Sequence, residues 1–172
     1  MIEVRIAELA DIEAGAVMRP VASDFSPVTP AMRRLDLAAG PMVEQQCARM
    51  GELPVGSAVI TAGGGVAAAF IVHVAVRSAE ENATETGVRR GLRNGLRRLV
   101  EWEIESVAVA PLGTGAGNLD AEEAAEVMIP VLAEHLRAAP YPSRVALVVD
   151  DEYQLSVFAA AVERLAGAER GS

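Results

Sequence analysis

The stretch that most constrains the fold of this chain runs from Ser106 to Ala125 and reads SVAVAPLGTGAGNLDAEEAA. Its first residues, Ser106 to Ala110, are small, apolar or β-branched and end at a proline, which is typical of a short strand buried on both faces. A glycine-rich loop follows, and Asp120 with Glu123 then predicts the capped start of a helix. A buried strand that passes through a short loop into a helix indicates an α/β fold with a parallel sheet.

The glycine-rich loop has the composition of an anion-binding site. Gly113, Gly115 and Gly117 alternate with Thr114 and Ala116, so the backbone can approach a ligand closely and turn N–H groups toward it. Because the following helix begins with the positive end of its dipole, loop and helix together could hold a phosphate or diphosphate without Lys or Arg. The same pattern is compatible with an ordinary turn between a strand and a helix, since three spaced glycines are a weak signal.

Length and composition predict a single cytoplasmic domain. The chain has 172 residues, of which 51% are hydrophobic but only 3% aromatic, so its core must be built from Ala, Val, Leu and Ile. We expect one domain over residues 1–166 and a frayed tail over residues 167–172. Cys47 is the only cysteine, and the charged N-terminal sequence does not resemble a signal peptide. Both features favour a reducing, cytoplasmic location.

Charge and residue content disfavour several classes of partner. The formal net charge of −9 argues against general nucleic-acid binding, and no apolar run is long enough to cross a membrane. One Cys and two His disfavour a zinc cluster, and the chain contains no Lys, which excludes any mechanism that needs a lysine amine. We therefore expect no metal, no cofactor and a small-molecule ligand as partner, and the sequence leaves homo-oligomerisation open.

Strand and helix patterns alternate along the chain. The Gly-Gly-Gly run at 63–65 predicts a surface turn between two strands, and His73, inside an apolar run, predicts a core histidine with satisfied hydrogen bonds. The pattern as a whole predicts a mostly parallel sheet between helices, with a ligand at the carboxyl ends of the strands. Strands are predicted at 2–7, 16–21, 56–62, 68–76, 106–110 and 144–149, and helices at 31–50 (broken near Gly40-Pro41), 88–103, 120–137 (kinked at Pro130) and 150–165.

From residue 54 onward the order of these signals resembles the macro domain, a family whose members bind ADP-ribose. The similar blocks read LPVGSAVIT, AAFIVHVAV, RNGLRRLVEWEIESVAVAPLGTGAGNLDAEEAAEVM and RVALVVDDEYQLSVF. The resemblance implies a three-layer α/β/α sandwich with a mixed, mostly parallel sheet of about six strands. It also implies that one run of the chain cradles the diphosphate and the distal ribose of the ligand, namely Leu112, Gly113, Thr114, Gly115, Ala116 and Gly117.

The first turn of the chain resembles the adenine site of this family. Ala10-Asp11-Ile12 is similar to the family's G-D-I turn, in which the aspartate accepts a hydrogen bond from the adenine amino group and the next residue contacts adenine through its backbone. The resemblance therefore makes Asp11 and Ile12 candidates for adenine binding. Because the segment after Asp11 is shorter than is usual in the family, an ordinary surface turn remains the alternative.

The rest of the N-terminal third departs from the family pattern. Arg19 and Ala22 stand where the family has two asparagines, the second of which orients the terminal ribose. The glycines of the family's first phosphate loop are replaced by Val28, Thr29 and Pro30. Met32 stands where hydrolytic members carry an aspartate. Together these departures favour binding without hydrolysis. The aromatic residue that often stacks on adenine would fall near Val149 and is missing, so the sequence leaves Phe25 or Tyr153 as substitutes.

Three functional hypotheses follow. The first is a binding module for ADP-ribose or a related nucleotide, without catalytic residues. The second is an ADP-ribosyl hydrolase with a non-standard site, in which Asp24, Asp36 or His73 would have to serve as base. The third is a degenerate macro-like domain that binds another anionic ligand or acts in an assembly.

Overall fold

A computed structural model describes residues 2–172 and contains one mixed six-stranded sheet with helices on both sides. The strands are β1 (Ile2–Ile6), β2 (Ala16–Ala22), β3 (Ala58–Ala62), β4 (Phe70–Arg77), β5 (Ser106–Val109) and β6 (Arg144–Val149). They lie in the order β1, β6, β5, β2, β4, β3, and only β3 runs antiparallel to its neighbour. The predicted α/β/α sandwich with a mostly parallel sheet is confirmed.

Capping residues and a Gly-Pro pair set helix boundaries. Thr84, Asp120 and Asp151 each accept a hydrogen bond from a first-turn backbone N–H, as N-cap residues do. The predicted break between the first two helices is confirmed at Gly40, whose φ of +87° favours glycine and which precedes Pro41. The helices are α1 (Pro30–Ala39), α2 (Pro41–Met50), α3 (Glu85–Glu101), α4 (Ala121–Ala138) and α5 (Glu152–Arg170).

The C-terminal boundary differs from the prediction. Helix α5 continues to Arg170 and is capped by Gly171, beyond the predicted end at residue 165. The segment AGAER is rich in good helix formers, and the single Gly167 costs only about 1 kcal/mol relative to alanine. A continuing helix therefore outweighs one unfavourable residue.

Strand β2 carries a proline at the centre of the sheet, which is unusual because proline cannot donate to a strand ladder. Pairing between β2 and β5 ends at Met18, opposite Val109, so Pro20 lies beyond the end of that neighbour. All seven residues of β2 are buried, including Arg19. The strand therefore delivers a charged side chain into the interior.

The predicted turn at residues 63–65 is confirmed between β3 and β4, and it packs against helix α1. Gly65 N–H donates to Ala39 O at 3.0 Å. A Cβ atom on Gly64 would lie 2.3 Å from Ala39 O, so only glycine allows the backbones to approach this closely. These glycines serve packing, and they lie away from the loop that follows β5.

Candidate functional site

The glycine-rich loop leaves the carboxyl end of β5 and presents unpaired backbone donors. Gly113, Gly115 and Gly117 have positive φ angles of 83°, 123° and 80°. Within residues 2–172, the backbone N–H groups of Gly113, Thr114, Ala116 and Gly117 donate no hydrogen bond. Backbone N–H groups gathered in such a turn form a concave site for an anion.

Contacts on either side hold this loop in place. The Asn118 side chain accepts from Ala83 N–H at 2.7 Å, and Leu119 N–H donates to Gly113 O at 2.9 Å. Leu112 is fully buried beneath the loop. A loop fixed in this way keeps its free donors in one arrangement, which lowers the ordering cost of binding.

The first turn of α4 is closed by its own acidic residues. Asp120 and Glu123 form the predicted capping box, in which Glu123 N–H donates to the Asp120 carboxylate at 2.8 Å and Asp120 N–H donates to the Glu123 carboxylate at 3.1 Å. These two carboxylates already balance the positive end of the helix dipole. An anion at this site would therefore depend mainly on the N–H groups of the loop.

Residues 28–30, which stand in place of the family's first phosphate loop, lie against the glycine-rich loop. Thr29 accepts a hydrogen bond from Met32 N–H at 3.3 Å and caps α1, with Pro30 as the first helical residue. Val28 is buried, and its carbonyl oxygen would lie 3.2 Å from a Cβ atom on Gly115. The two loops therefore come together at Gly115 and Val28.

Two of the positions at which the sequence departs from the macro domain pattern carry apolar side chains. Ala22 is buried at the end of β2, and Met32 is 3% exposed with its side chain in the hydrophobic core. Neither side chain can accept or donate a strong hydrogen bond to a sugar or a water molecule.

The predicted adenine residues lie in the segment that connects the carboxyl end of β1 to the amino end of β2. Asp11 is exposed at the end of a short 3-10 turn (Leu9–Asp11) that follows β1, and Ile12 is buried. Because β1, β6 and β5 are mutually parallel, the segments that leave their carboxyl ends share one edge. The segment then leaves this edge, because Ala67 N–H, in the turn before the amino end of β4, donates to Ala10 O at 2.9 Å.

The two aromatic candidates lie in different places. Phe25 is buried with its ring edge-on to His73, at a centroid distance of 5.8 Å, so it is part of the core. Tyr153 is exposed in the first turn of α5, and its hydroxyl donates to the carboxylate of Glu122 in the first turn of α4. Of the two, only Tyr153 is accessible at the edge of the sheet where the loop lies.

A buried chain of polar side chains, which the sequence pattern did not reveal, connects β2, β4 and β3. Arg19 and His73 are neighbours on β2 and β4, and Arg19 Nε–H donates to His73 Nδ1 at 3.0 Å. The other ring nitrogen lies 2.8 Å from Thr61 Oγ1, which donates to Ala62 O. With Nδ1 accepting, Nε2 carries the proton of a neutral ring. The predicted core histidine with satisfied hydrogen bonds is confirmed, and a polar residue inside each of two apolar strands was the available signal.

Acidification is expected to destabilise the protein through His73. Burial, and secondarily the Arg19 charge, hold the His73 pKa well below its ordinary value of 6.5. Below pH 6.5, His73 is therefore protonated in the unfolded chain but stays neutral in the folded protein. The free energy of unfolding falls by up to about 1.4 kcal/mol per pH unit as a result. Urea unfolding between pH 7 and about 5 measures this loss.

The matched variant is His73→Gln, which keeps an acceptor for Arg19 but does not titrate. Burial raises the pKa values of Asp36 and Asp150, so both carboxyls add stability as the pH falls and act in the opposite direction. The informative quantity is therefore the difference between wild type and His73→Gln in how the free energy of unfolding changes with pH. Parallel stability curves for wild type and His73→Gln would contradict the assignment.

Residues 2–172 also bear on metal binding and on membrane insertion. No group of three or more His, Cys, Asp or Glu side chains is arranged to hold a metal ion there. In the same residues, no helix is both long enough and apolar enough to span a membrane.

Comparison with known proteins agrees with the fold and the sequence. An uncharacterised protein of Aeropyrum pernix is 30% identical over 172 residues, which cover 99% of this chain and 90% of that protein. The Oceanobacillus iheyensis macrodomain with ADP matches with a TM-score of 0.88 at 19% identity, covering 97% of this chain and 92% of that one. The Trypanosoma brucei macrodomain in complex with ADP-ribose matches with a TM-score of 0.85 at 14% identity, covering 94% and 68%. The sequence model of the macro domain matches residues 32–128, more than half of the chain, and the chain therefore belongs to the macro domain family.

Proposed function

We propose that this protein is a binding module for ADP-ribose or a related nucleoside diphosphate, which it holds without hydrolysing. The observation that carries the proposal is the set of unpaired backbone N–H groups in the loop from Gly113 to Gly117. A diphosphate offers the several charged acceptors that such a set of donors requires. Membership of the macro domain family supports the same ligand class, since related structures contain ADP and ADP-ribose.

In the proposed complex, the ligand extends from the glycine-rich loop toward the segment between β1 and β2. The diphosphate and distal ribose lie on the loop from Leu112 to Gly117, and the adenine lies near Asp11 and Ile12. The Asp11 carboxylate accepts a hydrogen bond from the adenine amino group. Its exposure leaves the carboxylate free to do so.

The first loop is expected to weaken this binding. Pro30 has no N–H to donate, and Val28 and Thr29 add β-branched bulk at the position where other family members bring bare glycine backbone to the phosphates. Each charge-assisted hydrogen bond contributes about 1.5–3 kcal/mol. We therefore propose an affinity one to several decades below that of a macro domain with two intact phosphate loops.

Replacing Asp11 by alanine is expected to weaken ADP-ribose binding about tenfold or more, because the adenine amino group loses a charged acceptor. Calorimetric titration with ADP-ribose, ADP, AMP and NAD, each with wild type and variant, measures the effect. Glu13→Ala, which removes an exposed carboxylate two residues away, is the control and should bind like wild type. Equal losses in both variants would show a general charge effect and refute the adenine contact.

The close approach of Val28 to Gly115 favours one alternative, a macro domain that takes a different anionic ligand. The same titration distinguishes the two functions. If none of the four nucleotides binds while a smaller anion such as inorganic phosphate does, the loop is an anion site and ADP-ribose is not its ligand.

A further inference from the structure

A cavity of about 490 Å³ lies between α1, α2 and residues 24–27. It is called the second cavity here, to distinguish it from the proposed nucleotide site. None of its lining residues belongs to the proposed nucleotide site. The chain segment that follows residue 27 separates the two, because Val28 directs its carbonyl oxygen toward Gly115 of the glycine-rich loop. The volume falls in the range of about 300–1,000 Å³ that is usual for small-molecule sites.

The Arg19 guanidinium lines this cavity, and its Nε and NH1 atoms already have partners in the protein. The residue is 2% exposed, and its Nε–H group is used by His73. Its NH1 atom forms an ion pair with Asp36 Oδ1 at 2.6 Å. A guanidinium has five N–H donors, and a buried one is stabilised by a planar, bidentate acceptor such as a carboxylate.

Charges of both signs surround the same space. A second guanidinium, from Arg33, lines the cavity together with the carboxylates of Asp24, Asp36 and Glu44. Three carboxylates repel a ligand that carries only negative charge, and two guanidinium groups repel one that carries only positive charge. The arrangement is complementary to a ligand that carries one charge of each sign.

The remaining walls are apolar. Phe25, Val43 and Leu37 line the cavity between the charged groups, and Cys47, whose pKa is raised by burial and whose thiol is therefore neutral, lies among them. Apolar walls of this kind contribute by burying the hydrocarbon part of a ligand.

We propose that this cavity binds a small zwitterion of the α-amino-acid type with an apolar side chain. Arg19 and Arg33 hold the carboxylate, Asp36 and Glu44 hold the ammonium group, and the side chain packs against Phe25 and Val43. The site is independent of the nucleotide site and does not rest on the function proposed for it.

Calorimetric titration of the full chain with L-leucine and L-phenylalanine tests the proposal. Each amino acid is compared with its deaminated and decarboxylated analogues: 4-methylpentanoate and 3-methylbutylamine for leucine, 3-phenylpropanoate and phenethylamine for phenylalanine. At least one amino acid should bind about tenfold or more tightly than both of its analogues, since each analogue lacks one charged contact. The proposal is overturned if neither amino acid binds at about 10 mM, or if an analogue binds as tightly as its parent.

Variants on the exposed surface of the helices locate the site without disturbing the core. Arg33→Gln should weaken binding about tenfold, and Ala48→Phe, which fills the cavity from an exposed position on α2, should abolish it. Arg34→Gln is the control, because Arg34 is equally exposed but pairs with Glu8 and does not line the cavity. Equal effects of Arg33→Gln and Arg34→Gln, unchanged binding in Ala48→Phe, or displacement of the amino acid by ADP-ribose would each refute a separate site.

Discussion

The Gly117→Asp variant is expected to bind ADP-ribose at least about 100-fold more weakly than wild type. Two unit charges about 4 Å apart near a protein surface repel each other by about 4 kcal/mol, and each 1.4 kcal/mol is a factor of ten in affinity. A Cβ atom at Gly117 would meet nothing within 4 Å, so the new side chain enters open space beside the free N–H groups of the loop. Titration calorimetry with ADP-ribose measures the loss.

Gly117→Asn is the matched control for this variant. Asparagine has the shape of aspartate without its charge, and both residues tolerate a positive φ such as the 80° of Gly117 better than other side chains do. The Asn variant should therefore retain most of the affinity. Similar affinities for the Asp and Asn variants would show that the loop does not bind the diphosphate.

Gly115 is a less suitable position for the same experiment. Gly115→Glu is also expected to abolish binding, since it places a negative charge in the pocket. However, its φ of 123° and the Val28 carbonyl 3.2 Å from its Cβ position mean that any side chain would strain both loops. A loss of binding there would report either charge or loop distortion, whereas the pair of variants at Gly117 separates the two effects.

Release of ADP-ribose from modified proteins is expected to be at least about 100-fold slower than with a hydrolytic macro domain. Attack on the anomeric carbon needs a fixed ribose and a positioned water, and a misplacement of about 1 Å costs a hundredfold in rate. Ala22 cannot orient the ribose, and Met32 is buried in the core and cannot accept a hydrogen bond from water. With no Lys in the chain, a Schiff base with the opened sugar is also excluded.

The assay measures ADP-ribose released from substrates with Glu, Asp or Ser linkages and from O-acetyl-ADP-ribose, beside an active macro domain. The three candidate general bases from the sequence, Asp24, Asp36 and His73, do not belong to the glycine-rich loop. His73 is fully buried, and Asp24 and Asp36 line the second cavity. Release at the rate of the active protein, abolished by Asp24→Asn, Asp36→Asn or His73→Gln, would overturn the binding-module proposal.

Local patterns were sufficient to predict most of the elements. The apolar run before Pro111, the capping residues Asp120 and Glu123, and the Gly40-Pro41 break each act over a few residues, and the structure contains the corresponding strand, cap and helix boundary. Helix α5 extends beyond its predicted end because the helix formers around Gly167 outweigh the cost of that one glycine.

From the sequence alone, then, come the fold class and the position of the glycine-rich loop after a buried strand, since both depend on residue type and spacing. The departures at Arg19, Ala22 and Met32 come from the resemblance to the macro domain family. Contacts between distant segments could be decided only by the tertiary structure. Arg19 and His73 are 54 positions apart, and they meet because β2 pairs with β4 in parallel register. The same packing brings Val28 against Gly115 and leaves a charged cavity beside α1 and α2, and none of these contacts leaves a local pattern in the chain.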